Sequence, residues 1–336
     1  MKGRVQRNCI KIMARRKVMK VNVQQVNLSN GNTQRRRRLL RDMKSARYLY
    51  MLIIPVMIYI VIFKYGPMYG IIMAFKDYKI GDGIWGSAWV GVKHFRTLFN
   101  SYDFYRILRN SLLLNVYSVI FQFPVPILLA LLLNEVKCNR FKKPVQSILY
   151  LPHFLSWVIL AGIVIQMLSP STGIVNAIIK FFGGEPIYFM SSKGWWLVVF
   201  IISGIWKESG WGTIIYLAAI SGVDAQLYEA AQIDGAGKLR QIWHITMPAI
   251  KPTIVILLVM RMGSMMDVGF DQIYMLSNDY VRDVADVFST YIYRMGIENI
   301  RYSYTTAIGL FQSIVNLILL AGTNWVAHRL GEQGIW

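Results

Sequence analysis

Apolar residues gather in six long blocks separated by polar stretches. The blocks lie at about 48–63, 111–133, 145–168, 195–220, 250–266 and 305–327. Each is close to the roughly 20 residues that a helix needs to cross about 30 Å of hydrocarbon. The first is short before Lys64, and the apolar stretch from Met68 to Phe75 extends it. Pro124 and Pro126 interrupt the second block, and Pro152 opens the third part-way. Membrane helices tolerate proline where neighbouring helices re-satisfy the freed backbone groups. No repeat of 20–50 residues is visible, which excludes a solenoid. The pattern predicts an all-α membrane protein with six spans.

Composition sharpens this. Of 336 residues, 55% are hydrophobic and only 16% charged, which excludes a disordered chain and an ordinary soluble domain. The formal charge is nevertheless +20. Fifteen Lys and Arg between Met1 and Arg47, against Asp42 alone, supply +14 of it, with Arg35 to Arg38 as the densest run. A basic tail, 1–47, directly before the first span predicts a cytoplasmic N-terminus by the positive-inside rule, with contact to membrane lipids as a second use. No apolar signal-peptide region precedes Tyr48, and no folded nucleic-acid-binding module accompanies the arginines. Lys137, Arg140, Lys142 and Lys143 put the loop after the second span inside as well. The stretch after the fifth span holds Asp267, Asp271, Asp279, Asp283, Asp286 and Glu298 against three arginines, as expected outside. The Lys64 to Arg109 loop, with seven basic residues against three acids, opposes this; long loops obey the rule poorly. N- and C-termini are both expected inside, the C-terminal end being 331–336. Cys9 and Cys138 imply no disulfide framework, and no His/Cys cluster signals a metal site.

Between the fourth and fifth spans, 222–249 is built to protrude. Asp224 is placed to cap a short helix from Ala225 to Asp234. Ala230 and Ala231 give it a small, smooth surface, and Gly235 and Gly237 permit the positive-φ turn that ends it. A second short helix, from about Lys238 to Trp243, is expected to feed into Pro248, with Pro252 near the start of the next span.

This spacing, Glu229-Ala230-Ala231, then Gly235, then Ile245 and Pro248, resembles the EAA signature of binding-protein-dependent ABC importer permeases. Met247 stands where the signature usually has Leu. Tyr65 to Gly70, Ala74 to Tyr78, Gly91 to Phe95, Asn110-Ser111 and Leu151-Pro152 are similar to the carbohydrate-uptake branch, most of all to permeases for complex or polysaccharide-derived oligosaccharides. The resemblance covers roughly Arg36 to Trp336 and implies a six-helix type I ABC importer transmembrane domain, 48–330, with a cytoplasmic coupling helix. It implies that Glu229, Ala230, Ala231, Asp234, Gly235, Ile245 and Pro248 dock into a separate ATPase, with Glu229 facing a basic residue there. The implied partners are a second, homologous permease subunit in a heterodimer, two ATP-binding subunits that hold ATP and Mg, and an extracellular solute-binding lipoprotein. The chain itself is expected to hold no cofactor and catalyse nothing. Gly235-Ala236-Gly237-Lys238 is not a phosphate loop, because Leu239 stands where Ser or Thr is needed.

Polar groups within the spans are candidates for a sugar path: Trp206, Lys207, Glu208, Trp211, Arg261, Asp267 and Gln122, with Asn115, Gln312 and Asn316 on other spans. A charge at a helix centre costs about 2.5–3.5 kcal/mol on insertion scales, so it should face the bundle interior or a water-filled cavity. Trp206, Glu208 and Trp211 combine aromatic faces with a hydrogen-bonding group, as sugars require, and Lys207 and Arg261 suit uronic acids. Each also has a packing reading: a Glu208–Arg261 salt bridge, interfacial tryptophans, or amides bonded between helices. An ion-driven secondary sugar transporter is the alternative class, hinted at only by Gly204, Gly210 and Gly212 as helix breakers.

Overall fold

The computed structural model describes residues 46–332 and 334–335. The basic tail before Ala46, with Cys9 and the Arg35 to Arg38 run, lies outside the described residues, as do Gln333 and Trp336 of the predicted C-terminal end. Contacts divide the chain into two units, Met1–Tyr69 and Gly70–Trp336.

Within the first unit, helix Arg47–Ile60 carries Pro55 and runs into a π turn at Val61–Tyr65. The helical path continues past Lys64 through Gly66–Met68, so the apolar stretch that starts at Met68 does follow on from the first block.

The architecture is all-α. Among the described residues the strands are Lys76–Asp77 and Ala88–Trp89, paired antiparallel. Among the described residues four helices are long and apolar enough to cross a membrane: Arg47–Phe75, Tyr102–Glu135, Lys238–Gly263 and Tyr302–Arg329. The third block is not the single rod expected over 145–168. It is two helical pieces, Asn139–Phe154 and Trp157–Met167, meeting at 105°. Pro152 and the Ser156 cap, whose hydroxyl accepts from the Ile159 N–H, end one piece and start the other. The fourth block is one unbroken helix, Lys193–Ser221. At ~1.5 Å per residue its 29 residues are long enough to span.

Three prolines, Pro67, Pro124 and Pro248, reshape the helices in the same way. Three π turns, Val61–Tyr65, Ser118–Gln122 and Ile242–Thr246, sit just before Pro67, Pro124 and Pro248. A proline ring clashes with the carbonyl four residues back, here Phe63, Ile120 and His244, and each of these lies inside the π turn. The wider turn moves that carbonyl aside and closes instead by an i to i−5 bond, such as Phe123 N–H to Ser118 O at 3.0 Å. The expected separate helix from Lys238 to Trp243 is therefore the first stretch of the Lys238–Gly263 helix, continuous through this turn.

Gly204, Gly210 and Gly212 of Lys193–Ser221 are packing points rather than breaks. A Cβ on Gly210 would lie 1.9 Å from the Leu149 carbonyl oxygen, one on Gly204 would meet the Gln122 amide, and one on Gly212 would meet Pro126. Backbones approach here as closely as small residues allow. The acidic stretch after the fifth span is also more than a loop. It folds into short helices Phe270–Leu276, Arg282–Ala285 and Phe288–Tyr293, with Val281, Ala285, Val287 and Phe288 buried. Trp196 fixes it to the long helix by donating Nε1–H to the Leu276 carbonyl at 2.8 Å.

Candidate functional site

Two regions of the second unit carry the candidate chemistry. The first is the protrusion at the Ser221 end of the Lys193–Ser221 helix. Asp224 Oδ1 accepts the Gln226 N–H at 2.9 Å and starts helix Ala225–Ile233 as its sequence predicts. The helix closes in a paired-bond turn, with Ala236 N–H to Ala231 O at 2.8 Å and Gly235 N–H to Gln232 O at 3.1 Å. Gly235 has φ +73°, which an L residue adopts only with strain. Gly237 does not share that role: its φ is −67° and it caps the next helix.

Three contacts brace this turn. Tyr228 Oη lies 2.9 Å from Thr246 Oγ1 in the π turn, Gln241 Nε2 donates to the Ala236 carbonyl at 2.8 Å, and Lys238 pairs with Glu135 at 3.2 Å. Ile245 and the buried Thr246 belong to that π turn, and Pro248 is the proline that causes it. What faces outward is Glu229, Ala230, Asp234 and Gly235, with Ala231 half-buried. Large apolar side chains flank them: Leu227, Leu239, Trp243 and Ile233, the last 87% exposed. Among the described residues Glu229 makes no ion pair or side-chain hydrogen bond. A braced helix that shows water a carboxylate, small residues and unburied apolar groups is shaped to receive another protein.

The second region lies at mid-depth. Lys207 and Glu208 are the fifteenth and sixteenth of the 29 residues in Lys193–Ser221. Lys207 is buried. Its Nζ donates to the His153 carbonyl at 2.9 Å, to the Leu155 carbonyl, and at 3.5 Å to the Pro152 carbonyl. The ammonium thus caps the 105° break, where a helix end leaves carbonyls without partners and adds the negative end of its dipole. The Trp157 ring, 5.6 Å away, contributes a cation–π contact.

Glu208, about 100° round the helix, does face outward from that break. Its Oε2 sits 3.0 Å from His153 Nδ1. The His153 ring stacks on Trp211 at 4.6 Å and 4°. No Glu208–Arg261 ion pair forms within 4.0 Å among the described residues, although Glu208 and Asp267 both act electrostatically on Arg261. His153, Glu208 and Trp211 form a contacting polar band at the break, and Arg261 lies within electrostatic range of both Glu208 and Asp267. The band leads to a cleft of about 590 Å³ lined by Asp267, Phe270, Tyr293, Gln312, Ser313 and Asn316.

Two other sequence candidates leave the band. Trp206, two residues from Glu208 and so about 200° round the helix, lines an apolar groove with Val164, Phe189, Trp195 and Ile202. Gln122 packs against Gly204, its buried Nε2 finding no partner among the described residues. The other amides follow the packing reading. Asn115 Nδ2 donates to the Met265 carbonyl, Gln312 Nε2 to the Met266 carbonyl at 2.9 Å, and Asn316 Oδ1 accepts the Met266 N–H at 2.8 Å. Together they hold the irregular backbone where the Lys238–Gly263 helix ends. His153 was missed from sequence because its partners lie more than 50 residues away.

Comparison with known proteins places the chain in a family. Residues 103–332 match the family described as "Binding-protein-dependent transport system inner membrane component". The chain is 49% identical over 303 residues to the polygalacturonan/rhamnogalacturonan transport system permease protein YteP of Bacillus subtilis (strain 168), covering 90% of this chain and 94% of that one. It is 46% identical over 294 residues to protein LplB of the same organism, covering 88% and 92%. Among solved structures it is similar to a chain of a bacterial alginate ABC transporter in complex with an alginate pentasaccharide-bound periplasmic protein. That match has TM-score 0.81 and 44% identity, and covers 89% of this chain and all of that one.

Proposed function

This chain belongs to the family of binding-protein-dependent transport system inner membrane components, and from that premise we propose that it is the permease subunit of an ABC importer for acidic oligosaccharides. The observation that carries the reading is the braced, outward-facing helix from Asp224 to Gly235 at one end of a helical membrane bundle. Its partner is a separate ATPase holding ATP and Mg. Glu229 meets a basic residue there, Ala230 and Ala231 allow close approach, and Asp234 and Gly235 set the bend. Ile245 and Pro248 fix the turn to the fifth span. A second, homologous permease, two ATPase copies and an extracellular binding lipoprotein complete the assembly in the plasma membrane, with both termini of this chain cytoplasmic.

ATP binding draws the coupling helices together, and the bundle switches from inward-facing to outward-facing. The binding protein then releases cargo into the path, and hydrolysis resets the bundle. In this chain the path follows His153, Glu208, Trp211, Arg261 and Asp267. An acidic cargo is supported by two comparisons: a relative named for polygalacturonan and rhamnogalacturonan, and a neighbour that carries alginate.

Glu229→Lys tests the coupling reading. Uptake of oligogalacturonides and co-purification of the ATPase should both fall at least tenfold while membrane insertion is unchanged. Wild-type uptake by this variant contradicts the assignment.

A further inference from the structure

The end of the bundle opposite the Ala225–Ile233 helix holds a second, differently built cleft. The first turns of Tyr102–Tyr117 present Tyr102, Tyr105, Arg106 and Arg109, a spacing of i, i+3, i+4 and i+7 that puts all four on one helix face. With Lys193, Asp283 and Val284 they line a cleft of about 680 Å³, inside the roughly 300–1,000 Å³ range of small-molecule sites. Both tyrosines are open to it, Tyr102 being 87% and Tyr105 67% exposed.

The three cations in this cleft are not equivalent. Arg106 is engaged by Asp103 at 2.7 Å and by Asp286 at 3.5 Å. Lys193 is engaged by Asp283 at 2.6 Å, and this lysine, helped by Arg106 and Arg109, holds the Asp283 carboxyl below the usual carboxylate range. Arg109 bonds only neutral oxygens: Asn110 Oδ1 at 3.2 Å from Nη2 and 3.4 Å from Nε, and the Asp283 carbonyl at 3.3 Å. No carboxylate lies within 4.0 Å of it among the described residues. The guanidinium is also held still. Asn110 is buried, and its Nδ2 donates to the Asp283 and Asp286 carbonyls at 2.8 and 3.0 Å. An oriented guanidinium with no carboxylate in direct contact, beside two open phenol rings, suits a sugar ring that carries a carboxylate.

We propose that this cleft is an entry site for a uronate residue of the cargo, Arg109 taking the carboxylate and Tyr102 and Tyr105 the ring. This rests on the acidic-oligosaccharide reading. Arg109, rather than any net charge of the cleft, holds the anionic chain before it enters the path.

The test uses the whole transporter in nanodiscs without its binding protein, titrated calorimetrically with trigalacturonate and with its fully methyl-esterified form. Wild type should bind the acid at least fivefold more tightly than the ester. Arg109→Gln should lose that preference with an unchanged melting temperature, and Tyr105→Ala should weaken both ligands several-fold. Equal binding of acid and ester by wild type, or an intact preference in Arg109→Gln, overturns the proposal. So does a loss confined to affinity for the binding protein, which would make the cleft a protein-docking surface. Failure of the wild-type transporter to import any acidic oligosaccharide would instead refute the cargo reading, and uptake measured separately distinguishes the two.

Discussion

Lys207→Met separates a residue that holds the bundle from one that touches cargo. In the structure the ammonium donates well to two carbonyls at the 105° break, those of His153 and Leu155. Hydrogen bonds from a charged donor are worth about 1.5–3 kcal/mol each, so about 3–6 kcal/mol is lost. Part of this returns, because the buried ammonium no longer has to be desolvated. Methionine fills similar volume but leaves the carbonyls bare, for a net loss of about 2–4 kcal/mol. For a chain of this size that lowers the melting temperature by roughly 3–6 °C. Thermal unfolding of the purified transporter, followed by size exclusion, measures it. The companion Glu208→Gln removes only a solvent-reachable contact with His153, costs under about 1 kcal/mol, and should alter transport instead. An unchanged melting temperature in Lys207→Met, with acidic cargo alone no longer imported, would refute the reasoning and return Lys207 to the path.

Three further outcomes follow from the same geometry. Gly210→Ala drives a Cβ into the Leu149 carbonyl and should cost at least about 2–3 kcal/mol in thermal unfolding, whereas Gly237→Ala, with open space and negative φ, should cost under about 1 kcal/mol. Asp286→Asn strips a nearly fully buried carboxylate from Arg294 at 2.6 Å and Arg106 at 3.5 Å, and should cost about 3–5 kcal/mol by the same assay. The Asp283 carboxyl is held low by Lys193, so its stabilisation is present above the ordinary carboxylate value and lost as pH falls through the lowered one. The melting-temperature gap between wild type and Asp283→Asn should therefore be constant from about pH 5 to 8 and close below about pH 4.

The Ala225–Ile233 helix was legible because its signals are local. Asp224 caps from two residues away, and Gly235 sets its own turn. The break in the third block was not, because Pro152 and Ser156 sit inside an apolar run whose hydropathy is the same for a straight span and a bent one. Nor was the role of Lys207, whose partners are more than 50 residues distant and exist only once that break has formed. The separation of Trp206 from Glu208 was available from helix geometry alone, since two residues apart means opposite faces. In the acidic stretch after the fifth span, neighbouring charges hid Val281, Val287 and Phe288, which the fold buries.

Import by proteoliposomes tests the central claim most directly. With cargo-loaded binding protein outside and ATP inside, the complete wild-type transporter should accumulate oligogalacturonide. Omitting ATP or the binding protein, or introducing Glu229→Lys, should each abolish accumulation. Accumulation driven by an ion gradient without ATP, or undiminished by Glu229→Lys, would contradict the account.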